Sequence, residues 1–247
     1  MFAYERKEQI LDILKMKRAV SVEELCQTLY TSGATIRRDL QMLEKDGMIK
    51  RTHGGAVLLE GNSTETPLVL RENENSQKKQ AISELAVTHI ADGMTLFLDS
   101  SSTASFIIRQ LSPFKGLKVI TNGIKTASLL SEYKNIKTYC TGGIIRDNSR
   151  SLVGHAAENF ISQFNADIAF MSCRGMSVDK GATDPSDEEA YVKKEYIKNS
   201  DKRILLCDTT KIGVDYFCKV APLNEFDFII TNNLEITEQF KTFTRKQ

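Results

Sequence analysis

Residues 32–40 read Ser-Gly-Ala-Thr-Ile-Arg-Arg-Asp-Leu, and this stretch decides the fold of the N-terminal region. In a helix, Ile36 and Leu40 lie one turn apart on the same face. Arg38 and Gln41 then project from nearly the opposite face. Because arginine offers forked donors that reach guanine edges and phosphates in the major groove, the pattern predicts a helix that reads DNA.

Two helices are predicted before this one. Residues 5–17 carry isoleucine and leucine at helical spacing. Ser21 and Glu24 then form a capping box, with the serine at the N-cap and the glutamate at N3, which begins a second helix. That helix is expected to end near Leu29, so a short turn leads to Ser32, which caps the third helix. The spacing predicts a helix-turn-helix.

A basic β-hairpin is predicted after the third helix, which makes the unit a winged helix-turn-helix. Gly47 is expected to end the helix. Residues 48–49 begin a strand that turns at residues 54–55 and returns through residues 56–58. Basic side chains on such a wing are placed for phosphates or the minor groove. The residues expected to contact DNA are Ser32, Thr35, Arg37, Arg38, Gln41, Lys50, Arg51, His53 and Gly54.

Bulk charge gives little support to DNA binding, since residues 1–60 hold ten Lys or Arg against nine Asp or Glu. Short three-helix units also make protein contacts, and composition leaves that alternative open. Local placement favours DNA, because the basic side chains cluster on the two elements that would touch a duplex. The expected partner is therefore double-stranded DNA.

The motifs at residues 35–40 and 51–56 resemble the signature of the DeoR family of bacterial transcriptional regulators. The resemblance covers nearly all 247 residues. It continues in shorter motifs at residues 97–103, 119–122, 142–143, 189–193 and 208–213. It implies a second domain that is similar in fold to ribose 5-phosphate isomerase and the CoA transferase-like enzymes, and that senses a phosphorylated sugar or a related metabolite.

The composition is that of an ordinary soluble chain of one or two domains, with 41% apolar residues, 26% charged residues and a net charge of +1. The five cysteines show no Cys-x-x-Cys spacing, which favours reduced thiols over disulfides or zinc ligands. The three histidines add no metal-ligand spacing, so neither a metal nor a cofactor is expected. The sequence shows no signal peptide and no apolar run of membrane length, which predicts a cytoplasmic protein with no membrane partner.

The sequence pattern divides the chain into three segments. Residues 1–58 form the predicted winged helix-turn-helix. Residues 59–76 are polar, with one Gly and one Pro, and predict a linker that contains a short strand at residues 68–70. Residues 77–247 form the predicted effector-binding and oligomerisation domain.

Apolar, β-rich runs alternate with helical patterns beyond the linker. The apolar runs fall at residues 95–98, 117–121, 136–140, 167–172, 203–207 and 226–231. The helical patterns fall at residues 78–90, 103–111, 125–131, 156–164, 188–199 and 234–242. This alternation predicts an α/β domain with a largely parallel sheet, whose ligand site lies where the carboxyl ends of the strands meet helix N-termini.

The first of these strands ends in Asp99-Ser100-Ser101-Ser102-Thr103 before a helix. Hydroxyl and N–H groups at the positive end of a helix favour an anion such as phosphate, although serines also cap helices for purely structural reasons. Lys211 is expected to meet the phosphate, while Asp99, Asn122 and Asp208 bind sugar hydroxyls. The residues expected to line the effector pocket are Asp99, Ser100, Ser101, Ser102, Thr103, Asn122, Gly142, Gly143, Arg174, Glu189, Lys193, Asp208 and Lys211.

Two positions depart from the family pattern. Residues 101–103 read Ser-Ser-Thr where the family commonly has Gly-Thr-Thr, which keeps hydroxyls but loses the close backbone approach that glycine allows. Arg174 stands where small residues are typical, so it either holds a second anionic group or fills the pocket itself. Glu189 and Lys193 lie four apart on one helix, which is typical of a surface ion pair, whereas the resemblance implies that this helix borders the pocket.

Together, the residues and the resemblance predict a DNA-binding regulator that represses a carbohydrate-utilisation operon and is released by a phosphorylated sugar. A homodimer or homotetramer is expected to set the spacing of the DNA-binding heads. One alternative is a sugar-phosphate isomerase-like enzyme with Asp99, Glu189, Asp208 or Lys193 as general base. The other is a DNA-binding protein whose second domain only oligomerises. An isomerase has no use for a winged helix on a linker, which favours the regulator.

Overall fold

The computed structural model describes residues 2–46, 48–52, 54–58 and 68–244. The chain divides into two compact units, a first unit that ends at Leu70 and a second unit that begins at Arg71. The predicted helix end at Gly47 and the predicted DNA contact at His53 lie outside the described residues.

The first unit consists of three helices and a small antiparallel sheet. Its helices are α1 (Ala3–Lys17), α2 (Val22–Leu29) and α3 (Gly33–Lys45). Its strands are β1 (Ala19–Ser21), β2 (Ile49–Arg51) and β3 (Gly55–Leu58), paired in the order β1-β3-β2. The predicted helix-turn-helix and wing are confirmed. Strand β1 was not predicted, because three residues are too few to show an alternating pattern.

Apolar side chains at helical spacing hold this unit together. Ile10, Leu25, Ile36 and Leu40 are fully buried in one cluster. Ser21 caps α2 by accepting a hydrogen bond from the backbone N–H of Glu24 at 3.0 Å. The core therefore forms from the apolar stripes that the sequence showed.

Gly55 is required where β1 crosses close to β3. A Cβ atom built on Gly55 would lie 2.0 Å from the carbonyl oxygen of Val20, far inside van der Waals contact. Since Ser21 pairs directly with Gly55, any side chain there would push β1 away from the wing. The second glycine of the Gly-Gly pair thus serves sheet packing.

The second unit is an α/β domain. Its helices are α5 (Ser76–Ala86), α6 (Ile124–Leu130), α7 (His155–Ile161), α8 (Asp187–Lys198) and α9 (Leu234–Phe240), preceded by α4 (Leu68–Asn73), which crosses the division between the units. Its strands are β4 (Thr95–Leu98), β5 (Leu117–Thr121), β6 (Ile136–Cys140), β7 (Ile144–Ile145), β8 (Leu152–Val153), β9 (Ala166–Ser172), β10 (Gly175–Ser177), β11 (Gly181–Asp184), β12 (Ser200–Leu206), β13 (Cys218–Ala221) and β14 (Phe228–Ile230). Short 3₁₀ helices lie at Val87–His89, Ala104–Gln110, Thr209–Lys211 and Leu223–Glu225.

Six of these strands form one parallel sheet in the order β14-β12-β9-β4-β5-β6. The sheet is covered on both faces, because alternate residues of a strand point to opposite sides. In β4, Phe97 belongs to one buried cluster, whereas Leu96 and Leu98 belong to the other. The predicted α/β fold with a parallel sheet is confirmed.

Some local predictions are wrong. Residues 68–70, predicted as a strand, begin helix α4, since three apolar residues without a partner strand do not make a sheet. The helix predicted at residues 103–111 is a 3₁₀ helix. Two additional antiparallel groups, β10-β11-β13 and β7-β8, were not predicted, because their strands are short. Within the described ranges, none of the helices combines the length and apolar character that a membrane span requires.

Candidate functional site

Helix α3 separates an apolar face from a polar one. Ile36 and Leu40 are buried, while Arg37, Arg38 and Gln41 are exposed. This distribution agrees with the sequence pattern and leaves two guanidinium groups and an amide on one accessible surface. Such a surface has the donors that DNA bases and phosphates accept from.

Two other predicted DNA contacts lie at the start of α3. The Ser32 hydroxyl accepts a hydrogen bond from the Thr35 N–H at 3.4 Å and bonds to the Thr35 hydroxyl at 3.0 Å. Ser32 thus caps the helix, as the sequence predicted, and Thr35 supplies the backbone N–H that it caps. The capping oxygen of Ser32 is also exposed at the end of α3 that carries the positive helix dipole.

The wing is tied to the end of α3. Lys50 and Arg51 are exposed on β2, and Gly54 is exposed in the turn. The Arg51 backbone N–H donates to Glu44 Oε1 at 2.8 Å, and its guanidinium lies 4.0 Å from Glu44 Oε2. One carboxylate therefore sets the position of the basic strand relative to the basic helix.

Asp39 has a structural role that sequence reasoning missed. It is buried on α3 and pairs with Arg6 of α1, with Arg6 Nε donating to Asp39 Oδ2 at 2.5 Å and a second guanidinium nitrogen donating to Oδ1 at 3.3 Å. The available signal was its position beside Leu40, three residues after Ile36, on the buried face. Of the triplet Arg-Arg-Asp, two residues face solvent and the third joins two helices.

In the second unit, the carboxyl ends of four adjacent strands bring the predicted effector residues together. The strands β12, β9, β4 and β5 are neighbours in the sheet. Within two residues of their ends come Asp208, Arg174, Asp99 and Asn122 respectively. Residues far apart in the chain thus share one edge of the sheet, as expected for a parallel α/β domain.

Asp99 lies at the centre of this edge and is 1% exposed. It accepts hydrogen bonds from the backbone N–H groups of Ser101 at 3.0 Å and Ser172 at 2.9 Å. Burial raises the pKa of Asp99, against the opposing effect of Lys193 3.9 Å away. The Ser101 hydroxyl donates to Asp99 and accepts from the N–H of Ala104, the first residue of the following 3₁₀ helix, at 3.1 Å.

Lys193 forms a buried ion pair with Asp184 at 2.5 Å. Burial alone would lower the pKa of Lys193, but Asp184, Asp99 and Glu189 outweigh it and hold that pKa above its usual value. Glu189 and Lys193 are 6% and 5% exposed, so they do not form the surface pair that their spacing allowed. Lys193 of α8 lies 3.9 Å from Asp99, which follows strand β4.

Glu189 is held by groups from two other segments. It accepts hydrogen bonds from Ser151, from Arg146 at 3.2 Å and from Ser100 at 3.4 Å. Burial alone would raise the pKa of Glu189, but Lys193, Ser151 and Arg146 bring it below its usual value. The side chain is therefore an ionised acceptor with its oxygens occupied.

Two further predicted residues, Asn122 and Gly143, support the frame of the site. Asn122 is fully buried, donates to the Leu152 carbonyl at 3.2 Å and accepts from the Tyr196 hydroxyl at 3.2 Å. Gly143 has a φ of 129°, and a Cβ atom there would lie 2.4 Å from the Val153 carbonyl oxygen. Gly142 is exposed beside it. Asn122 and Gly143 therefore position the backbone around the strand ends.

A pocket of about 130 Å³ lies at the same edge, beside β4, β9 and β12. Four basic side chains line it: Arg71, Lys79, Arg174 and Lys211. We call this the cationic pocket. Its other lining groups include Ser102, Asp208 and Glu74. Basic groups outnumber acidic ones, so the pocket is suited to an anion.

Lys211 joins three strand ends at the cationic pocket. Its Nζ lies 3.0 Å from the Ser172 hydroxyl, 3.4 Å from the Thr103 hydroxyl and 3.4 Å from Asp208 Oδ2. Burial alone would raise the pKa of Asp208, but Lys211 and Thr210 bring it below its usual value. Lys211 therefore remains next to an ionised carboxylate.

Lys79 is a buried lysine of the cationic pocket. Its Nζ donates to the carbonyl oxygens of Arg71 and, at 2.7 Å, of Glu74. Burial, followed by the nearby charge of Lys211, lowers the pKa of Lys79 to about 8, although Asp208 and Glu74 act in the opposite direction. A bound anion would relieve the repulsion between these basic groups.

Arg71 and Lys79 were missed because Arg71 fell in the predicted linker and Lys79 in a predicted helix. A signal existed for Lys79, which lies three residues before the buried Ile82 and so on the apolar face of α5. A lysine on a buried stripe requires a polar partner.

No group of three or more metal-ligating side chains occurs in the part of the chain that the structure describes.

Comparison with known proteins agrees with this arrangement. Residues 6–62 match the family described as "DeoR-like helix-turn-helix domain", and residues 74–233 match "DeoR C terminal sensor domain". The HTH-type transcriptional regulator GolR of Listeria innocua is 37% identical over 98% of this chain and 96% of its own length. The HTH-type transcriptional repressor GlcR of Bacillus subtilis is 34% identical over 95% of this chain and 90% of its own length.

Two further comparisons are with proteins of lower sequence identity. The glycerol-3-phosphate regulon repressor of Escherichia coli is 29% identical over 92% of this chain and 90% of its own length. Among solved structures, a D-ribose-5-phosphate isomerase in complex with phospho-erythronic acid aligns with a TM-score of 0.43 and 17% identity, over 58% of this chain and 56% of that chain. The order and the parallel pairing of its six central strands establish the α/β fold of the second unit.

Proposed function

Because the chain belongs to the DeoR family of helix-turn-helix transcriptional regulators, we propose that it represses a carbohydrate-utilisation operon until a phosphorylated sugar binds its second unit. In this proposal α3 and the wing hold operator DNA. The proposed binding of a phosphorylated sugar rests on the cationic pocket, where four basic side chains meet at the ends of parallel strands. The proposed repression is supported by two relatives that are named as repressors, GlcR and the glycerol-3-phosphate regulon repressor.

The size and charge of the pocket favour the anionic end of a small metabolite. At about 130 Å³ it is smaller than the roughly 300–1,000 Å³ that encloses a whole drug-sized ligand. Arginine and lysine together supply charge and directed donors to phosphate oxygens. A phosphate would therefore occupy the cationic pocket, and the sugar would extend away from it.

The arrangement of the carboxylates favours binding over isomerisation. A general base must reach the proton that it removes. Asp99 and Glu189 are buried and already accept hydrogen bonds, and Asp208 accepts from Thr210 at 3.1 Å beside Lys211. These contacts engage the carboxylate oxygens of all three residues within the protein, which disfavours a role as general base.

The pocket also offers a route by which the effector acts on DNA binding. Arg71 is the first residue of the second unit, and Lys79 holds the carbonyl oxygens of Arg71 and Glu74. An anion that binds Lys79 and Arg71 would act on the segment that connects the DNA-binding unit to the second unit. In a homodimer or homotetramer, a change in that segment would alter the spacing of paired DNA-binding heads and release the operator.

Arg38→Ala is expected to weaken operator binding by about 1–3 kcal/mol, because the variant removes an exposed guanidinium from the recognition face. Fluorescence anisotropy with DNA from upstream of the operon, at one stated salt concentration, measures the loss. Lys17→Ala removes one positive charge from an exposed position on α1 and is the matched control, with little expected effect on DNA binding. If both Arg37→Ala and Arg38→Ala bind the operator like the wild type, α3 does not read DNA as proposed.

Effector binding is expected to weaken above pH 8, by up to about tenfold per pH unit, because Lys79 with a pKa of about 8 loses the charge that attracts the phosphate. A panel of sugar phosphates is first tested for release of operator DNA, and the active compound is then titrated by calorimetry from pH 7 to 9.5. Its phosphate is fully ionised there, since the second pKa is about 6.

Lys79→Met should bind the same compound more weakly at pH 7 and should lose the decline above pH 8. Lys78→Met, which changes the adjacent side chain outside the pocket lining, should keep both the affinity and the decline. An unchanged pH profile in Lys79→Met would remove Lys79 from the effector site. If none of the sugar phosphates changes operator binding or thermal stability, the result would instead favour the alternative in which the second unit only oligomerises.

A further inference from the structure

Tyr30 connects α2 to α3 in a backbone conformation that is costly for its residue type. Its φ and ψ are 49° and 45°, in the left-handed region. A large aromatic residue rarely adopts this conformation, because its Cβ crowds the following carbonyl oxygen. The conformation itself ends α2, and the backbone N–H of Tyr30 bonds to the Cys26 carbonyl. Glycine or asparagine would meet that requirement with less strain.

The side chain of Tyr30 contributes little to packing. It is 95% exposed, so folding buries almost none of its ring. A strained backbone combined with an unburied aromatic side chain has no explanation in the stability of the first unit. Strain of this kind is characteristic of positions that serve binding.

The position of Tyr30 indicates what it binds. It lies two residues before Ser32, the N-cap of α3. The Arg37 guanidinium lies at the same end of α3, since a Cβ atom on Gly33 would be 3.2 Å from Arg37 Nη1. The turn, the exposed N-cap and a guanidinium therefore share the end of α3 that recognition helices direct toward base edges and flanking phosphates.

We propose that the Tyr30 hydroxyl donates a hydrogen bond to a DNA backbone phosphate when α3 lies in the major groove. The proposal rests on the DNA-binding function proposed above. A phenol donates to phosphate oxygens without adding charge, so it positions the helix on the duplex. Tyr30 is thus a positioning residue, whereas the guanidinium groups of α3 are the candidates for base recognition.

Tyr30→Phe and Tyr30→Gly in the full-length chain test the proposal. Tyr30→Phe keeps the ring and the strain but removes the hydroxyl, and it should bind operator DNA about tenfold more weakly with an unchanged melting temperature. Its affinity should depend on salt concentration with the wild-type slope, because a neutral phenol releases no counterion. Tyr30→Gly should show the same loss of affinity and a higher melting temperature, since glycine relieves the strain.

Wild-type affinity in Tyr30→Phe, or a changed salt slope, would overturn the phosphate contact. A lower melting temperature in Tyr30→Gly would overturn the premise that the turn is strained. Arg38→Ala measured in parallel separates this proposal from the function on which it rests. If Arg38→Ala weakens operator binding and Tyr30→Phe does not, only the proposed Tyr30 contact is wrong. If Arg37→Ala, Arg38→Ala and Tyr30→Phe all bind the operator with wild-type affinity, the proposed recognition of DNA by α3 is wrong as well.

Discussion

Lys193→Met is expected to lower the free energy of unfolding of the second unit by about 3–5 kcal/mol, the usual cost of removing one partner from a buried ion pair. Lys193 is buried between Asp184 at 2.5 Å and Asp99 at 3.9 Å. Methionine fills a similar volume but leaves two carboxylates in a site with little water. The loss is therefore electrostatic and does not come from a cavity.

The loss should depend on pH with a defined sign. Burial already raises the pKa of Asp99 and of Asp184, and removal of Lys193 raises both further. An acid with a raised folded pKa destabilises the fold increasingly as pH rises above its unfolded value near 4. The deficit of Lys193→Met should thus be smaller at pH 5 than at pH 8.

Urea denaturation of the full chain, monitored at both pH values, measures this difference. Lys194→Met changes the adjacent, exposed lysine and should alter the unfolding free energy by less than about 0.5 kcal/mol. A Lys193→Met protein as stable as the wild type at pH 8 would mean that the buried carboxylates do not require this cation. Effector binding should weaken together with stability, because Asp99 accepts from the Ser172 N–H and the Ser172 hydroxyl contacts Lys211.

Asp39→Ala is expected to lower the free energy of unfolding of the first unit by about 3–5 kcal/mol and to abolish operator binding by unfolding it. Asp39 joins α3 to α1 through Arg6, and its removal leaves a buried guanidinium without its carboxylate. The two neighbouring arginines act differently, because they are exposed. Arg38→Ala should reduce DNA affinity without changing the melting temperature.

The double variant Arg6→Met/Asp39→Leu separates folding from recognition. Apolar side chains of similar volume often replace a buried ion pair without loss of stability. The double variant should therefore melt near the wild-type temperature and bind operator DNA within a few-fold of wild-type affinity, as thermal unfolding and anisotropy would measure. A double variant that folds fully but does not bind DNA would show that Arg6 or Asp39 contributes to the interface itself.

Local sequence patterns were sufficient for most helices, for the wing and for the six strands of the parallel sheet, and for most of their boundaries. The apolar stripe of α3, the caps at Ser21 and Ser32, and the strands at residues 95–98 and 117–121 follow from periodicity and capping chemistry, which act within a few residues. The failures were also local. Residues 68–70 look like a strand in isolation, but a strand requires a partner, and the structure has a helix there.

The edge of the sheet that gathers the candidate site was predictable as well, because parallel strands present their carboxyl ends on one side. Asp99, Arg174 and Asp208 follow strands that lie side by side in the sheet. What the sequence alone determined is thus the chain order of most helices and of the parallel strands, the faces that they bury and the loops that reach the site.

Tertiary structure alone decided which charged groups are neighbours. Asp39 looks like part of a polar motif, yet it is the buried partner of Arg6. Lys193 looks like half of a surface pair, yet Asp184 and Asp99 surround it. The cationic pocket combines Arg71, Lys79, Arg174 and Lys211 from separate segments of the chain. The physical reason is that periodicity reports whether a side chain is buried, whereas its partners and pKa depend on segments that only folding brings within a few ångströms.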